Sequence, residues 1–133
     1  MSTEWIVGSG IDLIENGRVD DMMKRWGAHF LDRVFTEREQ NYSRGKARPA
    51  QHLAGRFAVK EAVSKAFGTG IGPRFGWLDI EVVRDDESGA PAVKLHGKAA
   101  VYAAEIGVAR ILISLSHTRK YAVASAVLIA EKE

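Results

Sequence analysis

The sequence predicts one α+β domain over residues 1–133, in which a mixed or antiparallel sheet packs against a long central helix. Three observations carry this prediction. The chain has 133 residues, enough for one domain with a buried core but not for two ordinary domains. A continuous helical pattern occupies the middle of the chain. Strand-like runs lie on both sides of it, and no linker or repeat divides the sequence.

The first half of the chain predicts one strand followed by helices. Residues 5–12 form an apolar run, with glycines where another backbone or a ligand would come close. Apolar residues then recur at helical spacing up to Gly27, which we expect to end that helix. Thr36 and Glu39 match a capping box and predict the start of a short helix. The long central helix is expected over residues 50–67, where a glycine-rich segment stops it.

The second half predicts four strands and one small helix. Residues 78–84 and 92–96 have the pattern of a strand pair with a turn between them. An alanine-rich helix is expected over residues 97–106. Residues 110–116 and 121–130 predict a final antiparallel pair. The second of these strands is almost entirely apolar, so it should be central in a sheet or buried between subunits.

Composition and charge exclude several classes of function. The chain is 46% hydrophobic and 27% charged, as globular proteins are, and it has no cysteine for disulfides or thiolate chemistry. The N-terminus lacks a secretory signal and no run reaches transmembrane length, so we expect a cytoplasmic protein without membrane contact. A net charge of +2, with no aromatic residues among the basic ones, argues against nucleic acid. It suits a phosphate-bearing ligand or an acidic partner.

Three charged residues on rigid elements could bind a divalent metal and a phosphate. Asp12 ends the first strand, while Glu61 and Lys65 lie about one turn apart on the long helix. Mg²⁺ prefers carboxylate oxygens, and a lysine can face a phosphate as a point charge. The ordinary alternatives are a helix cap for Asp12 and a surface ion pair between Glu61 and Lys65. Lys60 is expected on the outer face of the helix.

Other segments carry groups suited to anions. Four basic residues lead into the long helix: Arg44, Lys46, Arg48 and Arg56. They could bind an anion, which free backbone N–H groups at the start of a helix also favour. The alternative is that these residues form a solvated face. His117 and Thr118 at a hairpin tip could hydrogen-bond a phosphate, or be plain turn residues. A helix end and a turn explain the glycines of residues 68–72, with close approach to a flat ligand as the alternative.

Taken in order, these motifs resemble the signatures of the 4′-phosphopantetheinyl transferases. Residues 8–12 (GSGID) look like the N-terminal signature, and residues 57–65 (FAVKEAVSK) look like the second one. Three further segments resemble the small bacterial branch, which converts apo acyl carrier protein to the holo form: 54–57, 66–72 and 114–118. Each motif alone is weak, but the ordered combination, spanning about residues 5–129, is specific.

The resemblance implies an enzyme that transfers 4′-phosphopantetheine from coenzyme A to a serine of apo acyl carrier protein, for fatty acid biosynthesis. Adenosine 3′,5′-bisphosphate is the other product. Asp12 and Glu61 would hold Mg²⁺, and Lys65 would contact the transferred phosphate. The phosphates of the nucleotide would be contacted by Arg48, Arg56, His117 and Thr118. Its adenosine part would lie against Gly68 and Gly70. The base that takes the serine proton stays open between a metal-bound water and the two carboxylates.

The resemblance also implies a homotrimer with active sites between subunits and apolar last strands near the threefold axis. The predicted helix that carries Arg18, Met22 and Arg25 matches the segment that docks the acidic carrier protein. Arg18 would form a salt bridge and Met22 an apolar anchor, with a core position as the alternative for Met22. Two rival functions stay open. One is a magnesium-dependent nucleotide hydrolase that uses the same two acids. The other is a non-catalytic coenzyme A or nucleotide binding module, against which the intact set of Asp12, Glu61 and Lys65 argues.

Overall fold

The structure is a computed structural model that describes residues 2–133, with five α-helices and five strands in that range. The elements follow in chain order: β1 (Thr3–Glu15), α1 (Asn16–Trp26), α2 (Ala28–Val34), α3 (Glu37–Arg44), α4 (Pro49–Ala66), β2 (Ile80–Arg84), β3 (Pro91–Leu95), α5 (Gly97–Glu105), β4 (Val108–His117) and β5 (Tyr121–Lys132). The α+β class predicted from the sequence is confirmed.

The strands form two antiparallel sheets. The larger sheet has the order β1-β5-β4, and β2 pairs with β3 as a separate hairpin. Along β5, every second residue from Ala122 to Ala130 is buried, so one face of this strand lies against the core. The prediction that the apolar last strand is central in a sheet is therefore confirmed.

Helix α4 is the centre of the fold and packs across β1 and β5. Pro49 occupies its first turn, where a missing N–H group costs no helical hydrogen bond. From Leu53 to Ala66, most side chains around the helix are buried, and most of these are small or branched and apolar. The helix ends one residue earlier than expected, and Gly68, with φ of 79°, turns the chain away.

Two glycines of β1 set the distance between this strand and α4. Gly8, Gly10 and Asp12 alternate on the face of β1 that lies toward the helix. A Cβ atom at Gly8 would overlap the carbonyl oxygen of Ala66, and one at Gly10 would overlap that of Ala62. The glycines therefore admit the helix backbone, the first of the two reasons that the sequence offered for them.

The other boundaries lie within two residues of expectation, except that β1 continues three residues past Asp12, so this acid lies within the strand and not at its end. The Thr36 hydroxyl accepts from the Glu39 N–H at 3.2 Å, and the Thr36 N–H donates to the Glu39 carboxylate at 2.8 Å, which confirms the capping box. Residues expected at the start of β2 instead form a single 3-10 turn, Trp77–Asp79. No helix within residues 2–133 is long and apolar enough to cross a membrane.

Candidate active site

Strand β1 and helix α4 bring Asp12, Glu61 and Lys65 together. The Lys65 ammonium donates to Asp12 Oδ1 at 2.9 Å and to the carbonyl oxygen of Ile11 at 3.1 Å. The Asp12 side chain is only 14% exposed, whereas that of Lys65 is 50% exposed. Lys65 thus pairs across to the strand, and within residues 2–133 no ion pair joins it to Glu61. We call these three residues the acidic site.

The pKa of the Glu61 carboxyl is raised above its ordinary value. Burial raises its pKa, and the negative charge of Asp12 raises the pKa further, while Lys65 lowers it. The two carboxylates are therefore close enough to repel each other, and a cation bound between them would relieve that repulsion.

The donor set of the acidic site fits Mg²⁺. This ion is commonly held by one or two carboxylates plus substrate phosphates and waters. No cluster of three or more acidic, histidine or cysteine ligands occurs in residues 2–133, so the protein alone offers no complete cage. Asp12 and Glu61 would supply part of the coordination shell and a phosphate ligand would supply the rest.

A cavity of about 620 Å³ opens beside Glu61. The rest of its lining comes from the segment after α4, with one side chain from α2, and the lining residues are Arg33, Glu61, Ile71, Gly72, Gly76, Trp77, Leu78 and Asp79. The Trp77 ring lies against that of Phe57, with centroids 4.8 Å apart. The acidic site is thus bordered by space for a ligand.

The expectation that Lys60 lies on the outer face of α4 is wrong. Its side chain is fully buried and pairs with Glu39 at 2.8 Å. The ammonium also donates to the carbonyl oxygens of Trp77 at 3.0 Å and Ile80 at 2.6 Å. Because all three N–H bonds are satisfied, a charge can be kept in the core at this position.

A second group of polar residues surrounds Tyr42, near the N-terminal half of α4. The Arg56 guanidinium lies over the Tyr42 ring at 4.1 Å, Lys46 Nζ lies over it at 4.6 Å, and Arg84 Nη1 donates to the phenol oxygen at 3.3 Å. Burial raises the pKa of the Tyr42 phenol, but the positive charges of these three residues outweigh it and lower the pKa overall.

Two histidines complete this group. The rings of His52 and His117 are 5.2 Å apart, and Gln51 Nε2 lies 2.7 Å from His117 Nδ1. Burial lowers the pKa of His52, and the neighbouring His117 lowers it further. We call the set formed by Tyr42, Lys46, His52, Arg56, Arg84 and His117 the basic cluster. It borders a cavity of about 390 Å³.

The basic cluster fits an anion. Arg56 is buried, with only 8% of its surface exposed. Its Nε atom has no hydrogen-bond partner among residues 2–133. A buried guanidinium N–H without a partner is costly, so a bound acceptor would satisfy it. A phosphate supplies such an acceptor together with the charge to match.

Other predicted ligand residues lie at the surface. Arg48 precedes the first turn of α4 and is exposed, without capping the helix through its side chain. Thr118 shapes the β4–β5 turn, since its N–H donates to the carbonyl oxygen of Tyr121 at 2.8 Å. Gly68 and Gly70 both have positive φ, and a Cβ at either would meet nothing within 4 Å. A helix end and a turn are enough to explain these two glycines.

Helix α1 presents the predicted docking residues. Arg18 and Arg25 are exposed, whereas Met22 is partly buried and packs against the core. Met22 and Arg25 also border a surface cavity of about 510 Å³. Met22 therefore packs against the core, as the alternative interpretation expected, and its docking role stays a prediction.

Three residues of the basic cluster were not predicted from the sequence: Tyr42, His52 and Arg84. His52 lies four residues before Arg56, so helical spacing could have joined these two. Tyr42 and Arg84 belong to α3 and β2, and they meet α4 only through tertiary packing. No local pattern in the sequence marks that meeting.

Comparison with known proteins gives one family. Residues 8–126 match the family model described as the 4′-phosphopantetheinyl transferase superfamily. A curated protein of Natranaerobius thermophilus, named holo-[acyl-carrier-protein] synthase, is 44% identical over 123 residues, covering 92% of this chain and 97% of its own.

Solved structures agree with the sequence relatives. The crystal structure of holo-[acyl-carrier-protein] synthase from Neisseria meningitidis matches with a TM-score of 0.86 at 30% identity, covering 93% of this chain and 98% of that one. A holo-(acyl-carrier-protein) synthase from Bacillus anthracis, in complex with coenzyme A (3′,5′-ADP), matches with a TM-score of 0.77 at 40% identity, covering 94% and 97%.

Proposed function

This chain belongs to the 4′-phosphopantetheinyl transferase superfamily, and from that premise we propose that it is a transferase that makes holo acyl carrier protein. The substrates are coenzyme A and a serine of apo acyl carrier protein. The products are the modified carrier protein, for use in fatty acid biosynthesis, and adenosine 3′,5′-bisphosphate. The relatives' shared name and the coenzyme A complex of the Bacillus anthracis protein support this assignment.

One observation of the structure carries the proposal. Asp12, Glu61 and Lys65 come from two rigid elements and converge at the border of a cavity. Phosphoryl transfer depends on positioning and charge stabilisation more than on covalent catalysis. Two carboxylates and an ammonium in one place are a sufficient set for that task.

Each residue of the acidic site has a distinct part in the reaction. Asp12 and Glu61 would hold Mg²⁺, which when bound neutralises charge on the diphosphate of coenzyme A and on the leaving bisphosphate. Lys65 offsets negative charge on the phosphoryl group being transferred. The same two carboxylates are the candidates in this chain for accepting the serine proton.

The basic cluster would bind the nucleotide end of coenzyme A. Arg56 and His117 would contact its phosphates, together with Arg48 and Thr118 at the rim. The glycines of residues 68–72 would lie against the adenosine. The support is the anion-compatible chemistry of the cluster, above all the unpartnered Nε atom of Arg56.

The placement of the two sites supports a coenzyme A that spans two copies of the chain. Arg56 and Lys65 are nine residues apart on α4, which is about two and a half turns, so they leave the helix on opposite faces. The 3′-phosphate and the diphosphate of coenzyme A are attached to one ribose and stay close together. A second copy of the chain would then supply one of the two sites.

We accordingly propose a homotrimer with active sites between subunits. The face of the larger sheet that points away from α4 carries several exposed apolar side chains, with Ile11 66% and Leu13 64% exposed on β1 and Leu112 exposed on β4. Val123 and Val127 of β5 share this face through the strand register. A second and third copy would bury it.

Helix α1 would dock the acidic carrier protein. Arg18 would form a salt bridge with it, and Met22 would offer its surface side as an apolar anchor, with Arg25 nearby. Arg18→Glu should raise the KM for carrier protein about tenfold, because it replaces attraction by repulsion, and leave coenzyme A affinity unchanged. Steady-state kinetics with each substrate varied checks this. Equal weakening for both substrates would remove Arg18 from the docking surface.

The test of the proposed function is the mass of the acceptor protein. Apo acyl carrier protein is incubated with this protein, coenzyme A and Mg²⁺, and analysed by intact-protein mass spectrometry. We expect a gain equal to one phosphopantetheine group, abolished by EDTA. A carrier protein whose acceptor serine is replaced by alanine is the control and should gain nothing.

The same experiment separates the two rival functions. A nucleotide hydrolase would consume coenzyme A equally well without carrier protein. A binding module would leave both components unchanged while retaining coenzyme A. Either result, with the carrier shown to accept the group from another transferase, would contradict the proposal.

A further inference from the structure

Lys60 and Glu39 form a buried ion pair that the chemistry above does not use. Both side chains are 0% exposed. Apolar residues of similar volume often replace such a pair without loss of stability, because desolvating two charges costs several kcal/mol. Stability alone is therefore a weak reason for placing this pair in the core, and its bonding geometry suggests a second reason.

The pair joins three elements through directional bonds. Lys60 Nζ holds the carbonyl oxygens of Trp77 and Ile80 as well as the Glu39 carboxylate. Glu39 in turn accepts from the Thr36 N–H at 2.8 Å and from the Val82 N–H at 2.9 Å. Helix α4, the start of α3 and the segment leading into β2 are thereby fixed to one another.

These bonds lie directly behind the acidic site. Lys60 immediately precedes Glu61, so the two side chains leave α4 about 100° apart, one toward the core and one toward the cavity. The carbonyl that Lys60 holds belongs to Trp77, which lines that cavity together with Glu61, Leu78 and Asp79. The ammonium thus connects the helix turn of Glu61 to another part of the lining of the same cavity.

We propose that Lys60 and Glu39 are positioning residues, which hold Glu61 at the correct distance from Trp77 for metal and substrate binding. This inference rests on the proposed function. Mg²⁺ requires close to ideal ligand geometry, so a small displacement of one carboxylate weakens its binding. Phe57 and Trp77 also touch, but an apolar contact between rings is less directional than the three bonds of an ammonium.

The test compares Lys60→Met with a control that loosens the same region. Lys60→Met keeps the volume and removes the bonds to Trp77 and Ile80. Glu81→Gln is the matched control, because Glu81 is buried on β2 and bonds Thr36 and His96 but not α4. The double variant Lys60→Met/Glu39→Gln removes the unpaired buried carboxylate that Lys60→Met would leave behind, and so keeps the experiment informative if the single variant fails to fold.

The readouts are chosen so that loss of folded protein cannot imitate the effect. They are the Mg²⁺ concentration for half-maximal rate, and Mn²⁺ affinity measured by electron paramagnetic resonance on the complex with coenzyme A. Neither depends on the amount of active enzyme. We expect both variants that lack Lys60 to bind Mn²⁺ about tenfold more weakly or worse, with a matching rise in the Mg²⁺ requirement. Glu81→Gln should leave both quantities unchanged.

Two results would overturn the inference. One is wild-type Mn²⁺ affinity and Mg²⁺ requirement in the folded double variant, which would leave Lys60 a purely structural role. The other is an equal loss in Glu81→Gln, which would show that any loosening has this effect. A wild-type protein that neither binds Mn²⁺ with coenzyme A nor modifies the carrier protein would instead contradict the proposed function itself.

Discussion

The two ends of α4 carry two sites that are built in different ways. The acidic site places its two carboxylates on a strand and a helix whose backbones almost touch, because Gly8 and Gly10 have no Cβ. The basic cluster uses long side chains and rings from α3, α4, β2 and the end of β4. The carboxylates of the acidic site therefore have little freedom of position, and the side chains of the basic cluster have considerable freedom.

The difference follows the task proposed for each site. A site that holds Mg²⁺ and a reacting phosphate needs fixed ligand positions. A site that binds a phosphate by charge can use flexible cations, since attraction to a dianion depends weakly on angle. Substitutions in the acidic site should therefore lower turnover, and substitutions in the basic cluster should weaken the affinity for coenzyme A.

The largest effect is expected at the acidic end. Asp12→Ala and Glu61→Ala should each lower kcat about a thousandfold, because the charge of the phosphoryl group is then incompletely offset. Asp21→Ala, an exposed acid on α1, is the matched control. Stopped assays on carrier protein with circular dichroism as a folding check measure this. Near-normal turnover from both variants would refute the metal-site interpretation.

The close packing of β1 on α4 can be broken without touching a charge. Gly10→Ala should lower the free energy of unfolding by about 2–3 kcal/mol, since its Cβ would overlap the Ala62 carbonyl and two rigid backbones must separate. Gly17→Ala, in α1 with open space around it, should be neutral or stabilise by about 0.5–1 kcal/mol. Urea unfolding gives both values, and equal effects would contradict the packing argument.

The basic end should respond in affinity. Arg56→Ala is expected to raise the KM for coenzyme A about tenfold, the loss of one charge-assisted contact, with a smaller effect on kcat. Coenzyme A lacking its 3′-phosphate should be bound equally by both proteins if Arg56 contacts that group. Arg38→Ala on the exposed side of α3 is the control. A fall in kcat with unchanged KM would place Arg56 at the reacting phosphate instead.

The smallest effect concerns Glu81 on β2, which belongs to neither site. Burial raises the pKa of its carboxyl, but bonds from Thr36 and His96 outweigh burial and lower the pKa below the ordinary value of 4.5. Ionised Glu81 therefore stabilises the fold above that pH, and the contribution is lost as pH falls through the lowered pKa. Glu81→Gln should cost about 1 kcal/mol at pH 7 and less below pH 4.

Urea midpoints of wild type and Glu81→Gln across this pH range check the sign. A stability difference that stays constant down to pH 3 would show that the carboxylate charge is not what stabilises this junction. The same titration on His96→Asn separates the histidine's share of the bond from that of Thr36.

Local patterns in the sequence were sufficient for the elements and for the acidic site. The capping box, the helix end at Gly27 and the long apolar helix are all set by neighbours within a few residues. Asp12 and Glu61 were candidates because both are acids on rigid elements, and the resemblance paired them.

The basic cluster and the Lys60 pair could not be predicted in the same way. A lysine within a helix is usually exposed, so the sequence pattern favoured the surface for Lys60. Its burial depends on Glu39 and on two carbonyl groups far along the chain. Tyr42 and Arg84 likewise meet only after α3 and β2 have packed on α4, and no local spacing encodes that meeting.

The opposite orientation of Arg56 and Lys65 on α4 has a genetic consequence. If each coenzyme A spans two copies of the chain, a damaged basic cluster disables the neighbour's acidic site and leaves its own intact. A chain that is inactive through loss of Asp12 and a chain that is weakened through loss of Arg56 then form mixed assemblies in which some interfaces join two sound surfaces. Such alleles can complement each other, although both affect the same gene product.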